Sequence, residues 1–247
     1  MERVAWVTGA GSGIGRGLAA RLARDGWTVA VSARSAGDLD ELAAEVAGVR
    51  PYVLDVTDRD AVAGVIKRIE AELGPIGLAV LNAGTYVPVS AKGFSAEKFG
   101  ANFAVNVQGT ANCLEAMMPA MMARRSGHIA VVSSLTGYVG LPTASGYGAT
   151  KAALINMCEA LEPELEAEGV KISVINPGFV DTPLTRKNDF PMPFLISTEE
   201  AVERIVRGLA AGKFEIAFPT RMSLAILVLA ALPHWARLAV TRKMLPK

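Results

Sequence analysis

Residues 4–23, VAWVTGAGSGIGRGLAARLA, decide the fold of this chain. The apolar run 4–7 predicts a strand, the glycine-rich stretch 8–15 a turn, and residues 16–23 a helix. Glycines in such a turn allow a positive φ and let a ligand approach the backbone closely. Because the N–H groups at the start of a helix attract anions, this unit predicts a phosphate-binding site. Glycine turns also occur as plain connections between a strand and a helix, so motifs farther along the chain decide between the two.

The rest of the chain alternates short β-branched runs with longer helical patterns. This alternation predicts an α/β fold, a doubly wound (Rossmann) parallel seven-stranded sheet with helices on both faces. The predicted strands cover residues 3–8, 28–33, 50–54, 78–81, 128–133, 171–176 and 215–218, and the predicted helices cover 14–24, 36–47, 59–73, 96–122, 147–168 and 198–211. A long loop is predicted over 182–196, and 221–247 is predicted to be a C-terminal helical extension of a single domain, 1–247.

Composition limits the classes of function. A chain of 247 residues that is 51% hydrophobic can bury one sizeable α/β core, and its net charge of +1 gives no reason to expect nucleic-acid binding. The histidines His128 and His234 and the cysteines Cys113 and Cys158 lack the spacing of metal ligands. We therefore expect no metal site and no Ser-His-Asp hydrolase. Isolated cysteines and the lack of a signal-like N-terminal run predict a cytoplasmic protein.

Ligands of an open α/β sheet bind outside the carboxyl ends of its strands. The positions that follow the predicted strands are polar, glycine-rich or turn-forming, although loop polarity by itself is common. They are the turn 8–15, Arg34, Asp55 and Val56, Asn82-Ala83-Gly84, Ser133 and Ser134, and Pro177-Gly178.

One pair of side chains indicates proton transfer. Tyr147 and Lys151 are four positions apart in a predicted helix, so they share one face of it. A lysine ammonium near a phenol stabilises the phenolate and lowers its pKa from about 10 toward neutral pH, so the tyrosine could exchange a proton with a carbonyl or alcohol oxygen. Ser134, thirteen residues earlier, could hold the same oxygen. The alternatives are an ordinary surface pair and a serine that caps a turn or helix.

In this order and spacing, the motifs resemble those of the short-chain dehydrogenase/reductase family, in its single-domain branch, over essentially the whole chain. The matching positions are Thr8-Gly9-x-x-x-Gly13-Ile14-Gly15, Asp55, Asn82-Ala83-Gly84, Asn106, Ser134, Tyr147-x-x-x-Lys151, and Pro177-Gly178 with Thr182. The resemblance implies an oxidoreductase, such as a carbonyl reductase, that transfers a hydride between a nicotinamide and a carbonyl or secondary alcohol. All four positions of the family's catalytic tetrad are present, which favours an active enzyme.

The resemblance also implies a role for each member of the tetrad. Tyr147 would be the general acid/base, and Lys151 would lower its pKa and bind the nicotinamide ribose. Ser134 would position the substrate oxygen, with Ser133 as its competitor. Asn106 would hold a water that links Lys151 to solvent.

The remaining implied contacts are to the cofactor. They come from Gly9, Ser12, Gly13, Ile14 and Gly15 in the turn, Asp55 and Val56 at the adenine, Asn82, Ala83 and Gly84 along the adenosine ribose, and Pro177, Gly178, Val180 and Thr182 at the nicotinamide end. Members that prefer NAD usually carry an acid at the position of Ala33, whereas here Arg34 follows and suits a 2′-phosphate. We therefore expect NADP(H), with NAD(H) less favoured. Many relatives that use NADP carry another basic residue where this chain has Ser12.

The substrate is expected to contact residues 135–142 and the loop 184–196. Leu141, Met192, Phe194 and Leu195 suggest a small apolar carbonyl or alcohol, although Arg186 and Lys187 could reach an acid group. Apolar side chains in a loop also serve packing alone.

The C-terminal segment leaves three alternatives open. The mostly apolar run 222–232 is too short to span a bilayer, and four basic residues follow it, of which Lys247 is the last. The segment could cover the substrate pocket, form a contact in a homodimer or homotetramer, or make peripheral contact with a membrane through 222–247. Two alternatives to a cytoplasmic carbonyl reductase remain: a non-catalytic dinucleotide-sensing or partner-binding protein, and a lipid ketone reductase at a membrane surface.

Overall fold

The computed structural model describes residues 3–187 and 191–245. Seven parallel strands form one sheet in the order β3-β2-β1-β4-β5-β6-β7. The strands are β1 (Val4–Thr8), β2 (Thr28–Ser32), β3 (Val49–Pro51), β4 (Ile76–Leu81), β5 (His128–Val132), β6 (Lys171–Pro177) and β7 (Glu215–Phe218). The strand order reverses between β1 and β4, so the carboxyl ends of these two strands border the crevice where such sheets bind ligands.

Helices cover both faces of the sheet. They are α1 (Gly13–Arg24), α2 (Ala36–Glu45), α3 (Arg59–Leu73), α4 (Ala96–Phe103), α5 (Gly109–Ala123), α6 (Ser145–Ala167), α7 (Thr198–Ala210), α8 (Thr220–Ala231) and α9 (His234–Arg242). Short 3-10 helices cover Ala91–Gly93, Leu135–Gly137 and Thr185–Lys187. The predicted doubly wound parallel sheet of seven strands is confirmed.

The strands are apolar on both sides because both sides are covered. In β1, Trp6 points into a core shared with α3, α5 and α6, and Val7 points into a second core shared with α1, α2 and α7. The buried indole N–H of Trp6 donates to Ser32 Oγ at 3.0 Å, so the aromatic side chain leaves no unpaired donor inside the sheet.

Three predicted elements need correction. The strand predicted over 50–54 is only Val49–Pro51, although the N–H groups of Tyr52 and Leu54 still donate to the carbonyl oxygens of Val31 and Ala33. The strand predicted to reach Ala33 ends at Ser32. The helix predicted over 96–122 is interrupted by a π-helical segment, Ala104–Gln108, which contains Asn106. Such π segments occur frequently at functional sites.

The C-terminal extension is helical, as predicted. The inner face of α8 packs Met222, Ile226 and Leu229 against Leu135 and Val139, beside the end of β5. Arg237 of α9 donates from Nη2 to the carbonyl oxygens of residues 230 and 232, at 2.7 and 3.2 Å, which joins the two helices. In the described part of the chain, no helix is long and apolar enough to cross a membrane. Lys247, the last predicted cation, lies outside the described residues.

Candidate active site

The glycine turn opens α1 without a side-chain cap. Gly9 and Gly13 have φ of 64° and 54°, which glycine adopts without strain. Ser12 occupies the N-cap position, yet its side chain accepts no hydrogen bond from the helix, whereas Ser35 and Asp58 cap α2 and α3. The first turn of α1 also contains no acidic residue. The N–H groups at this helix start therefore face the crevice without an internal anion, the arrangement that binds phosphate groups.

Thr8 and Asn82 fix this turn to the end of β4. The Thr8 hydroxyl oxygen accepts hydrogen bonds from the backbone N–H of Asn82 and of Ala83, each at 3.0 Å. Asn82 Nδ2 donates to the carbonyl oxygens of Thr8 and Gly9, at 3.0 and 3.2 Å. The side chain of Asn82, predicted to contact the cofactor, thus holds the turn in place.

Asn106 is fully buried, and both hydrogens of its side-chain amide form hydrogen bonds. Its Oδ1 accepts from the N–H of Thr85 at 2.7 Å, and its Nδ2 donates to the carbonyl oxygen of Thr85 and to Thr150 Oγ1, both at 3.0 Å. Thr150 in turn donates to the carbonyl oxygen of Tyr147 at 2.7 Å. Asn106 therefore connects the segment after β4 to the first turns of α6, where Tyr147 and Lys151 lie.

Ser134 and Tyr147 face each other across the end of the sheet. Burial raises the pKa of Tyr147 to about 12, and a hydrogen bond with Ser134 acts in the opposite direction. Ser134 Oγ also donates to the carbonyl oxygen of Pro177 at 3.3 Å and accepts from the N–H of Thr136, so it caps a short helix as well. The competitor Ser133 is turned away, because its hydroxyl donates to the carbonyl oxygen of Lys151 at 2.8 Å.

Lys151 lies beneath the tyrosine ring. Its Nζ is 5.4 Å from the ring centroid of Tyr147 and donates to the carbonyl oxygen of Val132 at 2.8 Å. Only 4% of Lys151 is exposed, and this burial lowers the pKa of its ammonium to about 8. In this arrangement the ammonium is bonded to a backbone carbonyl and burial dominates the pKa of the phenol, so a lowering of that pKa by Lys151 stays a prediction.

Comparison with known proteins identifies the family. The family model described as short chain dehydrogenase matches residues 3–191. The chain belongs to the short-chain dehydrogenase/reductase family. An oxidoreductase of uncharacterised activity from Myxococcus xanthus is 41% identical over 94% of this chain and 93% of its own length. The 3-oxoacyl-[acyl-carrier-protein] reductase of Thermotoga maritima is 34% identical over 93% and 90% of the two chains. A short-chain dehydrogenase structure from Streptomyces avermitilis superposes with a TM-score of 0.82 at 25% identity, covering 99% of this chain and 95% of that one.

Membership in the short-chain dehydrogenase/reductase family implies a nicotinamide cofactor, and a groove of about 320 Å³ follows the carboxyl ends of the first four strands. Predicted cofactor residues line part of it: Gly9, Ser12, Arg34, Asp55, Val56, Ala83 and Gly84. Sequence reasoning missed other lining residues: Gly11, Ser32, Ser35, Asp38, Leu54, Thr85 and Val105. Most of these adjoin a predicted residue along the chain, but Asp38 reaches the groove from α2, and no motif indicates it.

Charged side chains line the part of this groove that follows β2 and β3. The N–H and hydroxyl of Thr57 lower the pKa of Asp55, and the nearby Arg34 guanidinium adds to that effect. A Cβ placed on Gly11 would be 3.2 Å from Asp38 Oδ2, so this carboxylate lies directly beside the glycine turn. The groove is therefore lined by one cation, Arg34, and by the carboxylates of Asp38 and Asp55.

The segment after β6 closes the other end of the site. A Cβ on Gly13 would lie 3.1 Å from Cγ2 of Thr182, which brings the predicted nicotinamide end of the site against the start of α1. A Cβ on Gly178 would lie 2.6 Å from Met222 Sδ of α8. Pro177, Gly178, Val180 and Thr182 thus form a strip between the glycine turn and the C-terminal helices.

The predicted substrate residues are only partly brought together. Leu141 packs with the cluster beneath α8, whereas Phe194 and Leu195 are exposed. Arg186, predicted as able to reach an acid group, has its guanidinium on the Asp181 carboxylate at 2.7 Å in an exposed ion pair. The side chain of Lys187 and residues 188–190 lie outside the described residues.

Proposed function

We propose that this chain is an NADP(H)-dependent reductase of an apolar ketone or aldehyde, with Tyr147 as the general acid. The observation that carries the proposal is the meeting of Ser134 with the phenol of Tyr147, above a buried Lys151. These three groups lie at the carboxyl end of the sheet, next to the strip formed by Pro177 and Gly178. A carbonyl oxygen held there would accept a hydrogen bond from the phenol of Tyr147, and a second one from Ser134 when its hydroxyl turns away from the carbonyl oxygen of Pro177.

The groove fits a dinucleotide. The uncapped first turn of α1 would hold the pyrophosphate, and its glycines leave the space that a Cβ would fill. Asp55 and Val56 would contact the adenine, and Lys151 would bind the nicotinamide ribose. When bound, the nicotinamide supplies or accepts the hydride.

The raised pKa of Tyr147 favours reduction. A phenol with a pKa of about 12 keeps its proton at neutral pH and can donate it to a carbonyl oxygen as negative charge develops there. Oxidation of an alcohol would need the phenolate, which burial disfavours in this arrangement. Lys151 and Asn106 support this function by fixing the first turns of α6, because their bonds to Val132 and Thr85 set the position of the phenol.

The preference for NADP(H) rests on Arg34. The position before it, Ala33, carries no carboxylate to hold a ribose 2′-hydroxyl, and the exposed guanidinium of Arg34 lies at the groove rim, suited to a 2′-phosphate. Asp38 lies in the same groove and would repel that phosphate. We expect Arg34 to outweigh it, since Asp38 is turned toward Gly11.

An apolar carbonyl substrate is supported by the apolar cluster beside Ser134, in which Leu135 and Val139 are buried under α8 and Leu141 is partly buried. The Thermotoga maritima relative is named for reduction of a 3-oxoacyl group, which is a carbonyl on an apolar chain. A non-catalytic dinucleotide sensor is the second candidate, and the complete tetrad argues against it. Members of the family often form oligomers, and we expect a homodimer or homotetramer.

The test is a panel of ketones and aldehydes screened by NADPH absorbance, with Tyr147→Phe as the variant. We expect the variant to lose 10²- to 10⁴-fold in kcat, about the contribution of a general acid, and to keep its affinity for NADPH. Tyr52→Phe is the control, because it also removes a phenol hydroxyl, in this case one that donates a hydrogen bond to Glu72 of α3. Retention of more than about a third of wild-type activity by Tyr147→Phe would exclude Tyr147 as the acid, and a panel without any turnover would favour the sensor.

A further inference from the structure

The outer surface of α8 is apolar, although its inner surface already supplies the core. Met222, Ile226 and Leu229 are buried, while Leu224 and Val228 on the opposite side are exposed. A surface helix of a globular protein normally carries polar residues outward, and a helix that is apolar all round is normally covered on every side. The outer side of α8 is therefore expected to have a further partner.

Exposed apolar side chains also occur in α9 and in the residues after it. We call it the tail face, made of Leu224, Leu227, Val228, Trp235, Leu238, Val240, Met244 and Leu245. Among the described residues, twelve large apolar side chains are exposed, and these eight all lie within 22 consecutive positions. Trp235 is 75% exposed and Val228 64%. Exposed apolar side chains that cluster in this way indicate an interaction surface, whereas single exposed apolar side chains are common on any protein.

The charges of this segment are all of one sign. No aspartate or glutamate occurs between Glu215 and the last residue, whereas Arg221, Arg237, Arg242 and Lys243 are basic. Arg237 is used to cap the end of α8. Within the described ranges, Arg221, Arg242 and Lys243 form no ion pair, and each is exposed. The tail face therefore combines apolar side chains, an exposed tryptophan and unpaired cations.

We propose that the tail face binds the surface of an anionic lipid bilayer. Apolar side chains would enter the boundary between headgroups and acyl chains, Trp235 would lie at that boundary, and the cations would meet lipid phosphates. The 12 residues of α8 are enough for a helix that lies in the interface and too few for one that spans it.

The charge of this segment favours an anionic membrane over a second copy of this chain as the partner of the tail face. A two-fold interface apposes the same patch from both subunits. Arg221, Arg242 and Lys243 would then face cations of the same segment, with no acid in 216–247 to pair with them. An anionic bilayer instead supplies the complementary charge.

The experiment is flotation of the full-length protein with vesicles of phosphatidylcholine alone, or with roughly 30% phosphatidylglycerol, at low and high salt. We expect binding to the anionic vesicles at low salt and a marked loss at high salt. Leu224→Gln/Val228→Gln/Trp235→Gln should abolish binding, whereas Val53→Gln/Phe94→Gln, which changes side chains of similar exposure elsewhere, should bind like wild type.

A charge variant completes the experiment. Arg242→Gln/Lys243→Gln should bind about 25-fold more weakly, since each cation near an anionic surface is worth about fivefold in partitioning, and Lys67→Gln/Lys92→Gln serves as its control. Equal binding by tail and control variants would overturn the proposal, as would equal binding to both vesicle types. An absence of binding together with a lower oligomeric mass for the Leu224/Val228/Trp235 variant would overturn it in favour of a second copy.

Discussion

The ring of Tyr86 stands edge-on to the ring of Tyr147, with centroids 5.3 Å apart and an interplanar angle of 81°. Tyr86 comes shortly after the Asn82-Ala83-Gly84 motif at the end of β4, so the segment that borders the cofactor groove also contacts the proposed catalytic phenol. Edge-to-face pairs of this kind are attractive and directional. Tyr86 is therefore a positioning residue for Tyr147.

Tyr86→Ala should lower kcat/KM for the best substrate of the ketone panel by about 2- to 12-fold, because an aromatic pair is worth about 0.5–1.5 kcal/mol beyond area burial. Tyr86→Phe keeps the ring and is expected to stay within about twofold of wild type. Steady-state kinetics of both variants test whether the ring of Tyr86 positions Tyr147, with NADPH affinity measured separately. Equal losses in the two variants would mean that the hydroxyl, not the ring, matters.

Cofactor preference should be reversible at the end of β2. The unmodified enzyme is expected to favour NADPH by about 1.5–3 kcal/mol, the range for a hydrogen bond to a charged group. Ala33→Asp combined with Arg34→Ile should reverse the ratio of kcat/KM for the two cofactors, since the new carboxylate repels a 2′-phosphate. Comparable kcat/KM for NADH and NADPH in the unmodified enzyme would show that Arg34 does not select the cofactor.

Two glycine-to-alanine substitutions should have opposite effects on stability. A Cβ on Gly15 would overlap the carbonyl oxygen of Gly9 and lie 2.5 Å from Asn82 Nδ2, so Gly15→Ala must displace the turn and is expected to weaken both folding and cofactor binding. Gly64 lies in α3 with open space around its Cα, and Gly64→Ala should stabilise the protein by about 0.5–1 kcal/mol. Urea denaturation measures both, and a Gly15→Ala protein as stable as wild type would contradict the close packing of the turn.

Stability in mild acid should depend on His128. Burial lowers the pKa of His128 to about 4, and its Nε2 lies 2.7 Å from Ser173 Oγ. That hydroxyl donates to the carbonyl oxygen of Lys213, so Nε2 of the neutral ring is the donor. The unfolded chain takes up a proton near pH 6.5, so the stability from neutral His128 is complete above that pH and is lost as the pH falls toward 4.

Between about pH 6.5 and pH 4, the free energy of unfolding is expected to fall by about 3 kcal/mol, at 1.36 kcal/mol per pH unit. His128→Gln, whose amide can still donate to Ser173, should remove most of this acid-dependent part. The check is the difference in unfolding free energy between about pH 7 and about pH 4.5, compared with His234→Gln at an exposed site. An unchanged difference in His128→Gln would show that other groups cause the acid dependence.

The sequence predicted the sheet and the tetrad because both depend on local pattern and on fixed spacing along the chain. Buried parallel strands are apolar runs, the carboxyl end of β5 places Ser134, and the first turn of α6 places Tyr147 beside it. The π-helical segment around Asn106 was not predicted, because its apolar and polar pattern is also that of a continuous α-helix. Asp38 and Tyr86 were missed for a different reason: each reaches the site through the three-dimensional path of its segment, which spacing along the chain does not specify.

The pKa of Tyr147 also depends on features that spacing along the chain does not specify. The four-residue spacing to Lys151 is correct, but it does not specify that Lys151 bonds to Val132 and that both side chains are buried. Proximity in sequence gave the sign of a Coulomb interaction, whereas desolvation, which depends on the whole fold, decides the shift.

The apolar character of α8 on both sides has a consequence for its rotation about its own axis. Almost any rotation would bury an apolar stripe, so the hydrophobic pattern does not fix which side chains point inward. The packing of Met222, Ile226 and Leu229 on Leu135 and Val139, and the contact of Arg237 with the last turn, define the observed angle. Inserting one residue in this helix would rotate its later side chains by about 100°. Such an insertion would replace part of the buried stripe by side chains from the flank of the helix, with little loss of buried apolar area.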